Sequence, residues 1–134
     1  MNALAELILP IRSDEDVVRV RQRVRESALA IGFSLVDQTK LVTAASELAR
    51  NVLEHGGGGD VHIAPATEGV RRGVRLTFVD EGPGIADIDR ALTDGFSTAG
   101  GLGLGLGGAK RLVNEFSIQS RPGQGTRITI GRWK

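Results

Sequence analysis

A carboxylate and a carboxamide one helical turn apart, Glu47 and Asn51, a second carboxylate where an apolar run stops, Asp80, and two glycine clusters are the residues equipped to act on a ligand. The run Phe78-Val79-Asp80-Glu81-Gly82-Pro83-Gly84 reads as a strand that ends at an acid and turns through glycines, where a flat ligand could touch backbone. The run Gly100-Gly101-Leu102-Gly103-Leu104-Gly105-Leu106-Gly107-Gly108-Ala109-Lys110 opens an amphipathic stretch and reads as a loop feeding a helix. Such an end presents unpaired N–H groups and a partial positive charge, which suit phosphate oxygens. Together the two runs point to one nucleotide, its base at Asp80 and its phosphates along residues 101–108.

Each of these residues also has a plainer role. Glu47 and Asn51 lie about 40° apart around a helix of 3.6 residues per turn, so both flank the same side of its apolar stripe. They read either as a magnesium and general-base pair or as solvated polar residues, with Glu47 and Arg50 as an ordinary helix pair. Asp80 could simply initiate the Gly82-Pro83-Gly84 turn. His55, beside four glycines, could help end a helix, and Lys110 could face phosphate or solvent. Two familiar phosphate motifs fail. Residues 103–108 match G-x-G-x-x-G by spacing, but no buried strand precedes them, and in the P-loop pattern Lys110 comes one position late, with Arg111 where Ser or Thr is needed.

The elements that must carry these residues follow from periodicity and caps. Residues 4–11 read as a strand, with Pro10 marking an edge or an end. Ser13 caps a helix whose first turn holds Asp14, Glu15 and Asp16 and which Gly32 closes. Ser34 with Asp37 resembles a capping box for a second helix running to about His55, with Leu41, Ala45, Leu48, Ala49 and Val52 on its inward stripe. Residues 60–66 and 73–80 read as strands joined by a hairpin loop at 69–73. The segment 85–99 reads as a hinged lid with at most a short helix at 87–93. The helix entered after the glycines is expected to reach residue 115, and 116–120 with 126–133 form a final hairpin. The order predicts a single α+β domain over 1–134: a two-layer sandwich of a mixed, mainly antiparallel sheet with helices on one face.

Composition excludes several classes. Seventeen basic and sixteen acidic residues leave a formal charge of +1, and aromatics are 4%, so neither the field nor the stacking platforms of a nucleic-acid binder are present. Arg19, Arg21, Arg23 and Arg25 point to alternate sides of their helix and read as a solvated face. There is no cysteine for a disulfide or a thiolate metal site, and no signal peptide or long apolar run is recognised, which favours the cytoplasm and no membrane.

Glu47-x-x-x-Asn51 on a helix, Asp80-x-Gly82-x-Gly84 after a strand, Gly101-x-Gly103-x-Gly105 opening a helix and Gly125-Thr126 starting a strand resemble the four boxes of the GHKL ATPase/kinase superfamily. The compact lid and the 94–103 segment resemble the RsbT-type serine kinases of bacterial stress signalling, with the anti-sigma kinases as close cousins. The resemblance implies the Bergerat ATP-binding fold, with ATP and Mg²⁺ as cofactors. It implies Asp80 as acceptor of the adenine amino group, Gly82 and Gly84 as the close approach to the base, and Thr126 as support for Asp80, directly or through water. It further implies Asn51 as the magnesium ligand, Glu47 as the base for the attacking hydroxyl, and the amides of Gly101, Leu102, Gly103, Leu104 and Gly105 as the phosphate cradle. The implied partners are STAS-domain scaffold and antagonist proteins, phosphorylated and released, and a PP2C-type phosphatase that is then activated. Sequestration of a sigma subunit is the alternative output. A histidine kinase is disfavoured, because only His55 and His62 are present and no dimerising helical hairpin carries an acceptor histidine.

Overall fold

The computed structural model describes residues 6–85, 92 and 105–134. β1 (Leu7–Ile11) is followed by α1 (Asp14–Ile31) and α2 (Leu35–Glu54), then β2 (Gly59–Glu68), β3 (Arg71–Asp80), α3 (Gly105–Arg111), β4 (Glu115–Ser120) and β5 (Thr126–Trp133). The caps are where the residue types place them. Ser13 Oγ accepts the Asp16 N–H at 3.3 Å, and Gly32 ends α1 in the left-handed region at φ 97°, a conformation that costs other residues more. At α2, Ser34 Oγ accepts the Asp37 N–H at 3.1 Å. The reciprocal half of a capping box is not made, because the Asp37 carboxylate is taken by Arg132 at 2.6 Å.

The sheet has the order β1-β2-β3-β5-β4, and each of the four pairings is antiparallel, so the mixed component expected from the sequence is absent among the described strands. Register places Asp80 opposite Thr126 on one side and opposite Gly59 on the other. Alternation then sends Val74, Leu76 and Phe78 to the face shared with Val61, Ile63, Ile128 and Ile130. Against that face pack Val20 and Val24 of α1 and Leu41, Ala45 and Leu48 of α2, all buried in one core cluster. Helices thus cover one side of the sheet, and Arg75, Thr77, Arg127 and Thr129 are left on the other. Pro10, which has no N–H to give a neighbour, sits on the edge strand β1.

Two connections differ from the sequence expectation. The hairpin between β2 and β3 is a two-residue turn, since Glu68 pairs with Arg71; Gly69 at φ 62° supplies the first central position of a type II′ turn, so Arg71 and Arg72 belong to the strand. Helix α3 stops at Arg111 instead of reaching 115. The chain beyond it is captured by β5: the Arg132 Nη1 donates to the Leu112 carbonyl at 2.8 Å, the Trp133 N–H donates to Asn114 Oδ1 at 2.8 Å, and Glu115 is drawn into β4 by a bidentate pair with Arg75 at 2.8 and 3.1 Å. The short helix expected at 87–93 and most of the lid lie outside the described residues.

Candidate functional site

Where α2 ends against the ends of β3 and β5, a cavity of about 300 Å³ opens, within the range typical of ligand sites. Its walls are mainly apolar, with Leu48 and Val52 of α2, Phe78, Ile85, Leu106 and Ile128. Its polar groups are few: Asn51, His55, Asp80 and Thr126. Local chain geometry explains why these converge. Gly56 follows α2 so closely packed on Asp80 that a Cβ there would lie 2.4 Å from the Asp80 Cγ, and a Cβ on Gly82 would lie 2.6 Å from the Gly56 Cα. The glycines that stop α2 therefore also let its last turn rest on the end of β3, which a side chain at either position would prevent. Gly84 and Gly125, both at φ 78°, bring the turns after β3 and before β5 equally close: added Cβ atoms would meet Arg121 O at 2.1 Å and Asp80 O at 2.2 Å.

Asp80 makes the local bond expected of a turn-initiating aspartate. Oδ1 accepts the Gly82 N–H at 2.9 Å, and Oδ2 has no hydrogen-bond partner among the described residues. One oxygen holds the turn and fixes the carboxylate; the other is available to a ligand in the cavity.

Glu47 is buried, with 8% of its surface exposed, and Oε1 accepts the Gly105 N–H at 2.7 Å. The residue thus grips the start of α3 and is not paired with Arg50. A buried carboxylate at a helix N-terminus is matched to the partial positive charge there. Asn51, one turn later, is half-buried and lines the cavity, so Glu47 holds the start of α3 and Asn51 faces the cavity.

A polar knot lies beside the cavity, reaching two of its lining residues, Ile85 and Thr126. Ser120, the last residue of β4, accepts the Ile85 N–H at 2.7 Å, donates to the Gly125 carbonyl at 3.0 Å, and lies 2.8 Å from Thr126 Oγ1. It joins the turn after β3, the turn before β5 and the residue opposite Asp80.

Of the residues singled out from sequence, Asn51, Asp80, Gly84 and Thr126 line one cavity, with Gly82 in its wall turn and Glu47 adjacent through Gly105. Gly101, Leu102, Gly103 and Leu104 lie outside the described residues. His55 ends α2, its N–H donating to the Asn51 carbonyl at 2.9 Å, and the residue also lines the cavity. Lys110 is exposed on α3. Sequence reading missed Gly56 as a packing site, Ser120, and the apolar walls Leu48, Val52, Phe78 and Ile128. The walls carried the ordinary signature of core residues, and a helix-stopping glycine gives no local sign that its missing side chain is also needed elsewhere.

Residues 36–134 match the family of histidine kinase-, DNA gyrase B- and HSP90-like ATPases. The chain belongs to that family, the GHKL superfamily. Within it, the chain is of the RsbT serine/threonine kinase type. It is 45% identical over 123 residues to the serine/threonine-protein kinase RsbT of Bacillus subtilis (strain 168), an alignment covering 92% of each chain. It is also similar to the anti-sigma F factors of Bacillus licheniformis, at 35% identity over 69% of this chain and 66% of that one, and of Geobacillus sp. (strain WCH70), at 33% over 71% and 68%.

Proposed function

We propose that this chain transfers the γ-phosphoryl group of ATP to a serine or threonine of STAS-domain scaffold and antagonist proteins, releases them, and then activates a PP2C-type phosphatase in the cytoplasm. Serine/threonine kinase character follows from the relationship to RsbT, and use of ATP from the ATPase family. The observation that carries the site assignment is that Asp80, with one oxygen unpartnered, and Asn51 line the same cavity, where Gly56 lets the end of α2 rest on Asp80. The fit to a nucleotide is good on two counts. The apolar walls suit a planar base, and Asp80 Oδ2 is an acceptor of the kind an exocyclic amino group needs. Adenine offers that group, and the carbonyl of guanine in the same place would leave a buried carboxylate facing an acceptor.

Asn51 offers a hard carboxamide oxygen suited to Mg²⁺, and no cluster of three or more His, Asp or Glu among the described residues could hold a metal unaided. When bound, such an ion would supply positive charge against the negative charge developing on the transferred phosphoryl group. Glu47 takes the proton of the acceptor hydroxyl as its oxygen bonds to the γ-phosphorus and the bond to the bridging oxygen of ADP breaks. The amides of residues 101–105 would hold the phosphates.

The test is transfer of ³²P from ATP to purified STAS domains, with Asn51→Ala as control. Acid-stable label on a serine or threonine, lost in the variant, supports the reading; label retained at the original rate by Asn51→Ala overturns the role of Asn51. The similarity to anti-sigma F factors supports a second output, sequestration of a sigma subunit. Capture from lysate with and without Mg·ATP separates the two: recovery of sigma in place of STAS or phosphatase domains favours sequestration.

A further inference from the structure

Ser120 stands at the meeting point of three hydrogen bonds, to Ile85, Gly125 and Thr126. A serine hydroxyl has one proton to give and two lone pairs to receive. Its oxygen receives the Ile85 N–H at 2.7 Å, and the Gly125 carbonyl at 3.0 Å can only accept, so the single proton goes to Gly125. The remaining contact, 2.8 Å to Thr126 Oγ1, must then be donated by threonine. This assignment satisfies every position on Ser120: two bonds received, one given. It also spends the only proton of Thr126, whose oxygen is left as a pure acceptor at the cavity wall. Directly opposite in the register stands Asp80, whose Oδ2 is an acceptor too.

We propose that Ser120 is a specificity-determining positioning residue: by consuming the Thr126 proton it makes the Asp80 and Thr126 pair a two-acceptor site that admits an exocyclic amino group and rejects a carbonyl. This deepens the ATP reading above and rests on it. Without the Ser120 hydroxyl, Thr126 regains a free O–H that can turn towards the cavity and donate to a carbonyl. The Ile85 N–H, at the root of the lid segment, loses its acceptor at the same time.

The distinguishing ligand is inosine triphosphate, which carries a carbonyl where adenine has its amino group. Dissociation constants of Mg·ATP and Mg·ITP are measured for the unaltered chain, Ser120→Ala, Ser120→Thr and Asp80→Asn. In Ser120→Ala the preference for ATP over ITP is expected to fall about fivefold, the weight of one hydrogen bond, while Ser120→Thr, which keeps the hydroxyl, retains it. A merely structural serine would weaken both nucleotides alike; an unchanged ratio in Ser120→Ala, or an equal fall in Ser120→Thr, overturns the proposal. If Asp80→Asn leaves ATP affinity intact, the adenine assignment itself fails; if Asp80→Asn loses it and Ser120→Ala keeps its selectivity, only the Ser120 inference fails. Amide exchange of Ile85 in the unaltered chain gives a check independent of any variant: protection supports the bond to Ser120, and exchange at the free-peptide rate overturns it.

Discussion

Glu47→Gln separates two jobs of one side chain. The amide still offers an oxygen to the Gly105 N–H, so the anchor of α3 is kept, but it no longer takes up a proton. Thermal stability should stay close to that of the unaltered chain, while phosphate transfer at saturating ATP falls about a hundredfold or more, the usual scale for loss of a general base. Unchanged turnover would reduce Glu47 to a structural anchor. Gly56→Ala tests the packing beneath Asp80. A Cβ would lie 2.4 Å from the Asp80 Cγ and 2.5 Å from its Cβ, too close for either atom to stay in place. Titration calorimetry should show ATP affinity down by about tenfold or more, since misplacing a recognition group by a fraction of an ångström is enough to lose it. Neither effect is legible at the single residue: Glu47 reads equally well as half of a helix surface pair, and Gly56 as a stop signal.

Among the elements, the two long helices were the most legible. Ser13, Ser34 and Gly32 are local devices whose effect depends on the residues beside them, so their types alone locate three helix ends. Ser13→Ala should cost about 1 kcal/mol in chemical denaturation by removing the acceptor of the Asp16 N–H. Because α1 contributes nothing to the cavity wall, nucleotide affinity should be unaltered, and a parallel loss of affinity would show α1 to be coupled to the site. Helix α3 was the least legible. Its residues 112–115 continue a helical pattern, yet Arg132, Trp133 and Arg75, all distant in the chain, pull that stretch into a turn and a strand.

For the molecule as a whole, two ion pairs tie distant parts of the chain together and set an acid limit on stability. Arg132 bonds the Asp37 carboxylate at 2.6 Å and, with Ser34, holds it below the usual carboxylate range; Arg75 does the same for Glu115 while lying 5.6 Å from the centre of the Trp133 ring. Both carboxylates have folded pKa values lower than their unfolded ones. Their contribution is therefore present above the unfolded values, about pH 4, and is lost as pH falls through the folded ones. Melting temperature should drop as pH is lowered from about 5 to 3, and Asp37→Asn should be less stable at neutral pH and show a shallower acid slope. Equal slopes for the two proteins would exclude the Asp37 pair as a contributor. No helix among the described residues is long and apolar enough to cross a membrane.

The sequence by itself determined the helix caps, the strand alternation and the order of four glycine-and-acid motifs, because each depends on neighbours within a few residues. Tertiary structure alone decided the register that sets Asp80 opposite Thr126, the glycine contact that seats α2 on β3, and the capture of residues 112–115 by β5. Those outcomes depend on atoms well separated along the chain, whose meeting is fixed by packing of the whole core and leaves no mark in any short stretch of it.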